Sequence, residues 1–377
     1  MNPLEQLLQC GQSVWLDSIS RDLIKSGQLQ RLVTGDKLHG LTSNPTIFEQ
    51  AIGHSDAYDD ALRQLLRANE KQTEKALFEA LAIEDIRMAA DVLRPVYDET
   101  HGGDGYVSLE VSPHLARDTG GSIAEAKRLW QAVERPNLMI KIPATPEGIP
   151  AIEQLISEGI NVNVTLMFSL RHYDAVARAY LTGLERRDAY SPGGSKIWPV
   201  SVASFFVSRV DNVIDPMLEK IGTPEALVLR GKIAIANAKL AYQRFREIFH
   251  GEPFDSWRKK GVHVQRPLWA STSTKNPAYS DVLYVEELVG PDTVNTMPLK
   301  TLEAFRDHGQ ASETLGKGLA QAEADVAQLK KLGIDLNAVT EKLQNDGVDS
   351  FAVSYDKLLA SLKKKHQEIL TTSDQTV

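Results

Sequence analysis

A lysine stands in the middle of an apolar run at 137–145, NLMIKIPAT. Leu138, Met139, Ile140 and Ile142 read as a strand buried on both faces, where an ammonium group is costly unless something compensates it. Other apolar runs also carry polar residues near their ends. Asp17 lies in VWLDS, Asn44 closes GLTSN, and Glu110 lies in SLEVS. Asn163 and Thr165 are two apart in NVNVT and so share one face. Ser204 ends PVSVAS, and Ser273 ends WASTS with Lys275 just beyond. One lysine, two carboxyl groups and several amides and hydroxyls are the parts of a Schiff-base site. A desolvated lysine amine attacks a ketone as the free base, and carboxyl groups move the protons that imine chemistry needs. Each residue alone has a plainer reading. A strand Asn or Thr is more often a satisfied core hydrogen-bonder, Asp17 could cap a following helix, and Lys141 with Glu110 could be a structural ion pair between two strands. Metal chemistry is not expected, because there is no HExxH and no pair of histidines at strand ends.

The elements that would position these residues alternate. Short apolar or β-branched runs are each followed by a stretch of helical period. The runs are SVWLDSI (13–19), LHGLTSN (38–44), GYVSLEV (105–111), NLMIKIP (137–143), INVNVTLMF (160–168), KIWPVSVAS (196–204), RPLWASTS (266–273) and TVNTMP (293–298). Between them lie helical segments such as 122–134, 148–159 and 171–187, with room for two or three helices after the second and sixth runs. Strand–helix alternation implies parallel strands joined by right-handed crossovers. Eight of them predict a closed (β/α)8 barrel, whose active site sits at the C-terminal ends of the strands. An open doubly wound sheet would bring a Gly-rich loop after its first strand, where this chain reads DSISRDLI. The whole chain, 1–377, reads as one barrel domain with a C-terminal helical extension from about residue 311. The run Lys363–Lys365 reads as the solvated end of a terminal helix, and the tail TTSDQTV as frayed.

Bulk composition narrows the class. The chain carries 42% apolar and 24% charged residues, ordinary for a globular enzyme, and a net charge of −8 that offers no surplus for neutralising nucleic-acid phosphates. A small phosphate-bearing substrate remains compatible, since it needs only a few local cations. The single cysteine, Cys10, allows no internal disulfide and no Cys-based zinc site. No signal-peptide pattern opens the chain and no apolar run is long enough for a membrane, so a cytoplasmic protein is expected.

With the motifs assembled, the sequence resembles the transaldolase family, in its longer bacterial-type branch. The resemblance rests on GLTSNPTIF (40–48), MIKIPATPEGI (139–149), GINVNVTLMFS (159–169), SFFVSRVD (204–211) and WASTSTKNPAYSDVLYVEELVGPDTVNTMP (269–298), and it runs from about Val14 into the C-terminal helices. It implies a class I aldolase-type barrel in which Lys141 forms a Schiff base with a ketose phosphate. It further implies that Glu110 shuttles protons through a water oriented by Thr165, and that Asp17 exchanges the proton of the C4 hydroxyl. Asn44 and Asn163 would hold hydroxyls and the covalent intermediate, with Ser204 nearby. Arg209 and Ser273 match phosphate-binding positions, whereas Lys275 stands where an arginine is familiar and supplies charge without a bidentate fork. Neither cofactor nor metal is implied, because the imine is the electron sink.

Two other functions compete. A related lyase releases free dihydroxyacetone; its small members carry a tyrosine at the position of Phe206 and a glutamine at that of Glu110, so this chain sides with group transfer. A silent sugar-phosphate-binding barrel would have little reason to keep a costly buried lysine. Sugar phosphates are the expected partners, with no nucleic acid and no membrane. Monomer and homodimer both stay open, as does the acceptor preference.

Overall fold

The computed structural model describes residues 2–190 and 197–373. Eight parallel strands close into a barrel in chain order: β1 (Gln12–Asp17), β2 (Gly40–Thr42), β3 (Tyr106–Glu110), β4 (Leu138–Pro143), β5 (Val162–Met167), β6 (Ser201–Phe206), β7 (Arg266–Ala270) and β8 (Thr293–Met297). β8 pairs back onto β1. This is the (β/α)8 barrel with extra helices that the alternation of runs predicts. Every residue of β4, β5 and β6 is buried, as expected of barrel strands covered by helices outside and packed side chains within.

Register does the first part of assembling the site. Glu110 on β3 is opposite Lys141 on β4, and Lys141 is opposite Asn163 on β5. On the adjoining strand pair Asp17 on β1 is opposite Thr42 on β2. The β1–β2 pair depends on a missing side chain: a Cβ on Gly40 would lie 2.3 Å from the Trp15 indole, so only glycine permits this approach.

Several boundaries differ from the sequence reading, each for a local reason. β6 starts at Ser201 rather than 196, because Pro199 has no N–H for the ladder; Lys196 lies outside the described residues. β2 is only three residues long, and Asn44 lies beyond it as the N-cap of the helix Pro45–Gly53, its Oδ1 accepting from Ile47 N at 3.0 Å. β7 stops at Ala270 because Ser271 turns into the left-handed region, φ 56°. Four helices rather than two or three follow β6.

The C-terminal helix, Leu336–Ser373, packs against elements that follow the C-terminal ends of the strands. Thr46 Oγ1 donates to Ser354 Oγ at 2.9 Å, and His114 Nε2 lies 2.7 Å from Asp356 Oδ1. Lys365 Nζ donates to Ser55 O at 2.6 Å and Asp59 Oδ1 at 2.7 Å. The lysine run is therefore not merely a solvated helix end, since one of its three members pins the helix down. The helix also takes in Thr371–Ser373 of the tail read as frayed, and 374–377 lie outside the described residues. Among the described residues no helix is long and apolar enough to cross a membrane.

Candidate active site

Lys141 is 4% exposed. Its Nζ donates to the Ser43 carbonyl at 3.0 Å, lies 3.5 Å from Glu110 Oε2, and sits 5.9 Å from the centroid of the Phe351 ring. The contact read as a candidate ion pair therefore exists, but it is long and incomplete. An ammonium group has three protons to place, and Glu110 Oε2 is buried without a hydrogen-bond partner.

Lys141 opens into a cavity of about 280 Å³ at the C-terminal end of the barrel. Asp17, Asn44, Thr165, Ser204, Phe206, Arg209, Ser273 and Lys275 line it too. The two remaining nominated residues stand behind the wall. Glu110 reaches the cavity only through its contact with Lys141. Asn163 is fully buried, its amide donating to Ser108 Oγ at 2.9 Å and accepting from Ser204 Oγ at 2.7 Å, a polar bridge linking β3, β5 and β6. A larger recess, about 660 Å³, lies among the outer helices near Leu170, Leu240 and Val326. Convergence of chemistry, not size, selects the smaller one.

Both carboxyl groups near the amine are displaced upward. Burial pushes Glu110 up to about 7 against the pull of Lys141, and Asp17 adds to the rise. Burial also raises Asp17, against Lys141, the hydrogen bond from Thr42 and the charge of Arg209. Thr42 Oγ1 donates to Asp17 Oδ1 at 2.7 Å, which leaves Thr296 to donate to Thr42 at 2.8 Å. A carboxyl titrating near neutrality can both give and take a proton at working pH.

The cation side of the cavity is built from two elements. Arg209 sits in the first turn of the helix Ser208–Ile221, its guanidinium 4.9 Å from the Phe206 ring centroid. The neighbouring Asp211 points elsewhere, accepting from Ala234 N at 2.7 Å and Tyr284 Oη at 2.9 Å. Arg209 has no hydrogen-bond or ion-pair partner among the described residues; burial pulls its pKa down and Asp17 supports it. Ser273 and Lys275 come from the loop that Ser271 redirects after β7. A guanidinium and an ammonium lining one cavity can offer charge-assisted hydrogen bonds to an anion.

Sequence reading missed Thr42, Ser271, Thr296, Asn212 and Phe351, all of which line the cavity. Thr42 and Thr296 carried a signal, as hydroxyls near strand ends. Phe351 carried none, since an aromatic on the apolar face of a helix looks like ordinary core.

Fold and site define a barrel enzyme whose catalytic end holds a buried amine beside two carboxyl groups and two cations. Comparison with known proteins narrows the class. The profile described as Transaldolase/Fructose-6-phosphate aldolase matches residues 14–362, and the chain belongs to that family. It is 49% identical over 362 residues to a transaldolase of Thiobacillus denitrificans, covering 96% of this chain and 100% of that protein. It is 50% identical over 359 residues to a transaldolase of Thermobifida fusca, covering 95% and 96% of the two chains. With transaldolase 2 of a Nostoc species it shares 46% identity over 376 residues, 97% and 98% of the two.

Proposed function

We propose that the chain is a transaldolase. It moves a dihydroxyacetone unit reversibly from sedoheptulose 7-phosphate to glyceraldehyde 3-phosphate, giving erythrose 4-phosphate and fructose 6-phosphate in the non-oxidative pentose phosphate pathway. The observation that carries this reading is the half-satisfied amine of Lys141, buried 3.5 Å from a carboxyl that titrates at about 7 and open to a cavity holding an unpaired arginine.

In this reading Lys141 Nζ attacks C2 of the ketose. Glu110 moves protons as the carbinolamine forms and loses water, through a water shared with Thr165. Among the described residues Thr165 Oγ1 and Glu110 Oε2 are both buried without a hydrogen-bond partner, which supports a water between them in this reading. Asp17 takes the proton of the C4 hydroxyl, the C3–C4 bond breaks, and its electron pair passes into the imine to leave an enamine on Lys141. The aldose phosphate departs, an acceptor aldehyde adds to C3, Asp17 returns the proton, and hydrolysis frees Lys141. Asn44, whose carbonyl is committed to its cap, offers its amide N–H groups to substrate hydroxyls. Asn163 acts through Ser204, and Arg209, Ser273 and Lys275 take the phosphate. The chain works as one barrel domain with its C-terminal helices as a wall, in the cytoplasm, as monomer or homodimer.

Incubation with fructose 6-phosphate alone, followed by borohydride reduction and peptide mass mapping, tests this. A dihydroxyacetone-sized adduct on Lys141 is expected, and its accumulation without acceptor marks a transferase. Folded protein that yields no adduct would return Lys141 to a structural ion pair.

A further inference from the structure

β5 does not end as a regular strand. Leu166 lies in the left-handed region at φ 57°, and the pairing of β5 with β6 slips between Val164 and Met167. A bulky residue with positive φ is strained and persists only where its surroundings over-determine it. The surroundings here come from a helix far away in sequence. Gln344, 4% exposed on the C-terminal helix, donates from Nε2 to Leu166 O at 2.9 Å and to Ala144 O at 3.0 Å. Ala144 N in turn donates to Thr165 O at 2.7 Å. One amide thus ties the end of β4, which carries Lys141, to the turn that follows Thr165.

The neighbouring contacts agree. Three residues on along the helix, a Cβ on Gly347 would fall 2.8 Å from Leu166 Cδ2, so the helix backbone itself closes on this turn. Beyond the turn, Phe168 N donates to His172 Nδ1 at 3.3 Å and Phe168 O accepts from Asn237 Nδ2 at 2.8 Å. These fix the chain downstream, whereas Gln344 bonds the carbonyl of the strained residue itself. Gln344 does not itself line the cavity.

We propose that Gln344 is a positioning residue for the proton-transfer steps, holding Leu166 in its left-handed turn and so aiming the Thr165 hydroxyl at the water used by Glu110. This rests on the role given to Thr165 above. The C-terminal helix is then part of the machinery and not only a cover.

The test compares Gln344→Ala and Gln344→Met, the latter keeping length and packing, with Thr165→Ala and the Thr165→Ala/Gln344→Ala double variant. Readouts are kcat, KM for fructose 6-phosphate, the rate of borohydride-trappable adduct formation without acceptor, and Tm. Both Gln344 variants should lower kcat and adduct formation by about 10- to 100-fold with KM within about threefold, the cost of a misaimed group. In the Thr165→Ala background the Gln344 change should cost less than about twofold, because the hydroxyl it aims is gone. Leu166→Gly added to Gln344→Ala should recover much of the rate, since glycine enters the left-handed region without strain. Wild-type rates in both Gln344 variants, or losses that multiply in the double variant, would overturn the proposal alone. A wild-type rate in Thr165→Ala would remove the role of Thr165 and this proposal with it. If Gln344→Ala does not fold, the Met variant decides.

Discussion

The two ends of the barrel both bury charge, and they treat it in opposite ways. At the N-terminal end Asp104, its side chain 5% exposed, is surrounded by donors. Trp15 Nε1 donates at 2.9 Å, Arg266 Nη2 at 3.2 Å and Arg266 Nη1 at 3.4 Å; Ser13 Oγ adds a fourth hydrogen bond, and His39 Nδ1 lies 3.3 Å away. Burial raises its carboxyl, but Arg266 and His39 overcome this and hold it well below the ordinary range. At the C-terminal end Glu110 and Asp17 are raised; among the described residues Glu110 Oε2 and Thr165 Oγ1 have no hydrogen-bond partner, and Arg209 has no hydrogen-bond or ion-pair partner. The satisfied end fastens β1, the β2 entry, β3 and β7 together. The unsatisfied end holds its polar groups ready for a substrate, the division expected of a barrel enzyme.

The largest effect that would break this contrast is at Lys141. Lys141→Met should lower turnover by at least about 10⁴-fold, because the nucleophile is gone. Stability should stay within about 1 kcal/mol of wild type, since a methionine fills the space and Glu110, already titrating near neutrality, can stay protonated. Urea titration beside the transferase assay checks both halves. A Tm collapse would make Lys141 a structural ion. At the other end Asp104→Asn strands the Arg266 guanidinium and should cost about 3–5 kcal/mol of stability, with turnover per folded molecule unchanged. Lost turnover at full stability would erase the division.

The pH dependence of stability should differ in sign between the two ends. Glu110 binds its proton more tightly folded than unfolded, so its contribution to stability is full below the unfolded value near 4.5 and is lost as pH rises through about 7. Asp104 binds its proton more weakly folded, so its contribution is full above the unfolded value near 3.8 and is lost as pH falls below that. Glu110→Gln should therefore remove up to about 1.4 kcal/mol per pH unit of falling stability between those limits, and Asp104→Asn should flatten the acid limb instead. Asp17 and Asp211, also raised, leave a residual slope of the same sign as that of Glu110. Denaturation midpoints across pH 3–8 read both. Identical profiles for the two variants would contradict the contrast.

The unsatisfied end was largely legible in the sequence because it breaks local rules. A lysine in NLMIKIP and a glutamate ending GYVSLE contradict their own strands, and such conflicts cluster at functional sites. Period and spacing were enough for eight strands. What was not legible lies in contacts between distant segments. Nothing local distinguishes Phe351 or Gln344 from other residues of a long helix, since the 3.6 period is the same whether that face meets a barrel mouth or a neighbouring helix. Leu166 gives no turn signal, because leucine is not a turn residue and its conformation is imposed from outside. Asn163 enters as a substrate contact through the resemblance alone, and its residue type does not reveal that its amide also bridges Ser108 and Ser204. The Asp104 cluster drew no attention at all: its members are scattered along the chain, and only the closed barrel brings them together.

The smallest expected effect sharpens the comparison inside the active site, between its two cations. Arg209 is mostly buried against Phe206, and its planar, permanently charged fork suits a phosphate. Lys275 is exposed on the loop after β7 and offers only a point charge. Salt screens exposed charges over a Debye length of about 8 Å at physiological ionic strength and buried ones far less. Lys275→Ala should therefore raise KM for the ketose phosphate by about three- to tenfold with kcat nearly unchanged, and the penalty should shrink as salt rises to about 1 M, where screening is strongest. Arg209→Met should cost about 100-fold in kcat/KM through lost charge-assisted hydrogen bonds, with little change in that penalty across the same salt series. Lys275→Arg adds a fork the loop was not shaped for, so it should move KM by less than about threefold. Equal salt dependence for the Arg209 and Lys275 variants would mean that both cations meet the phosphate in water, and the burial of Arg209 would then need another purpose.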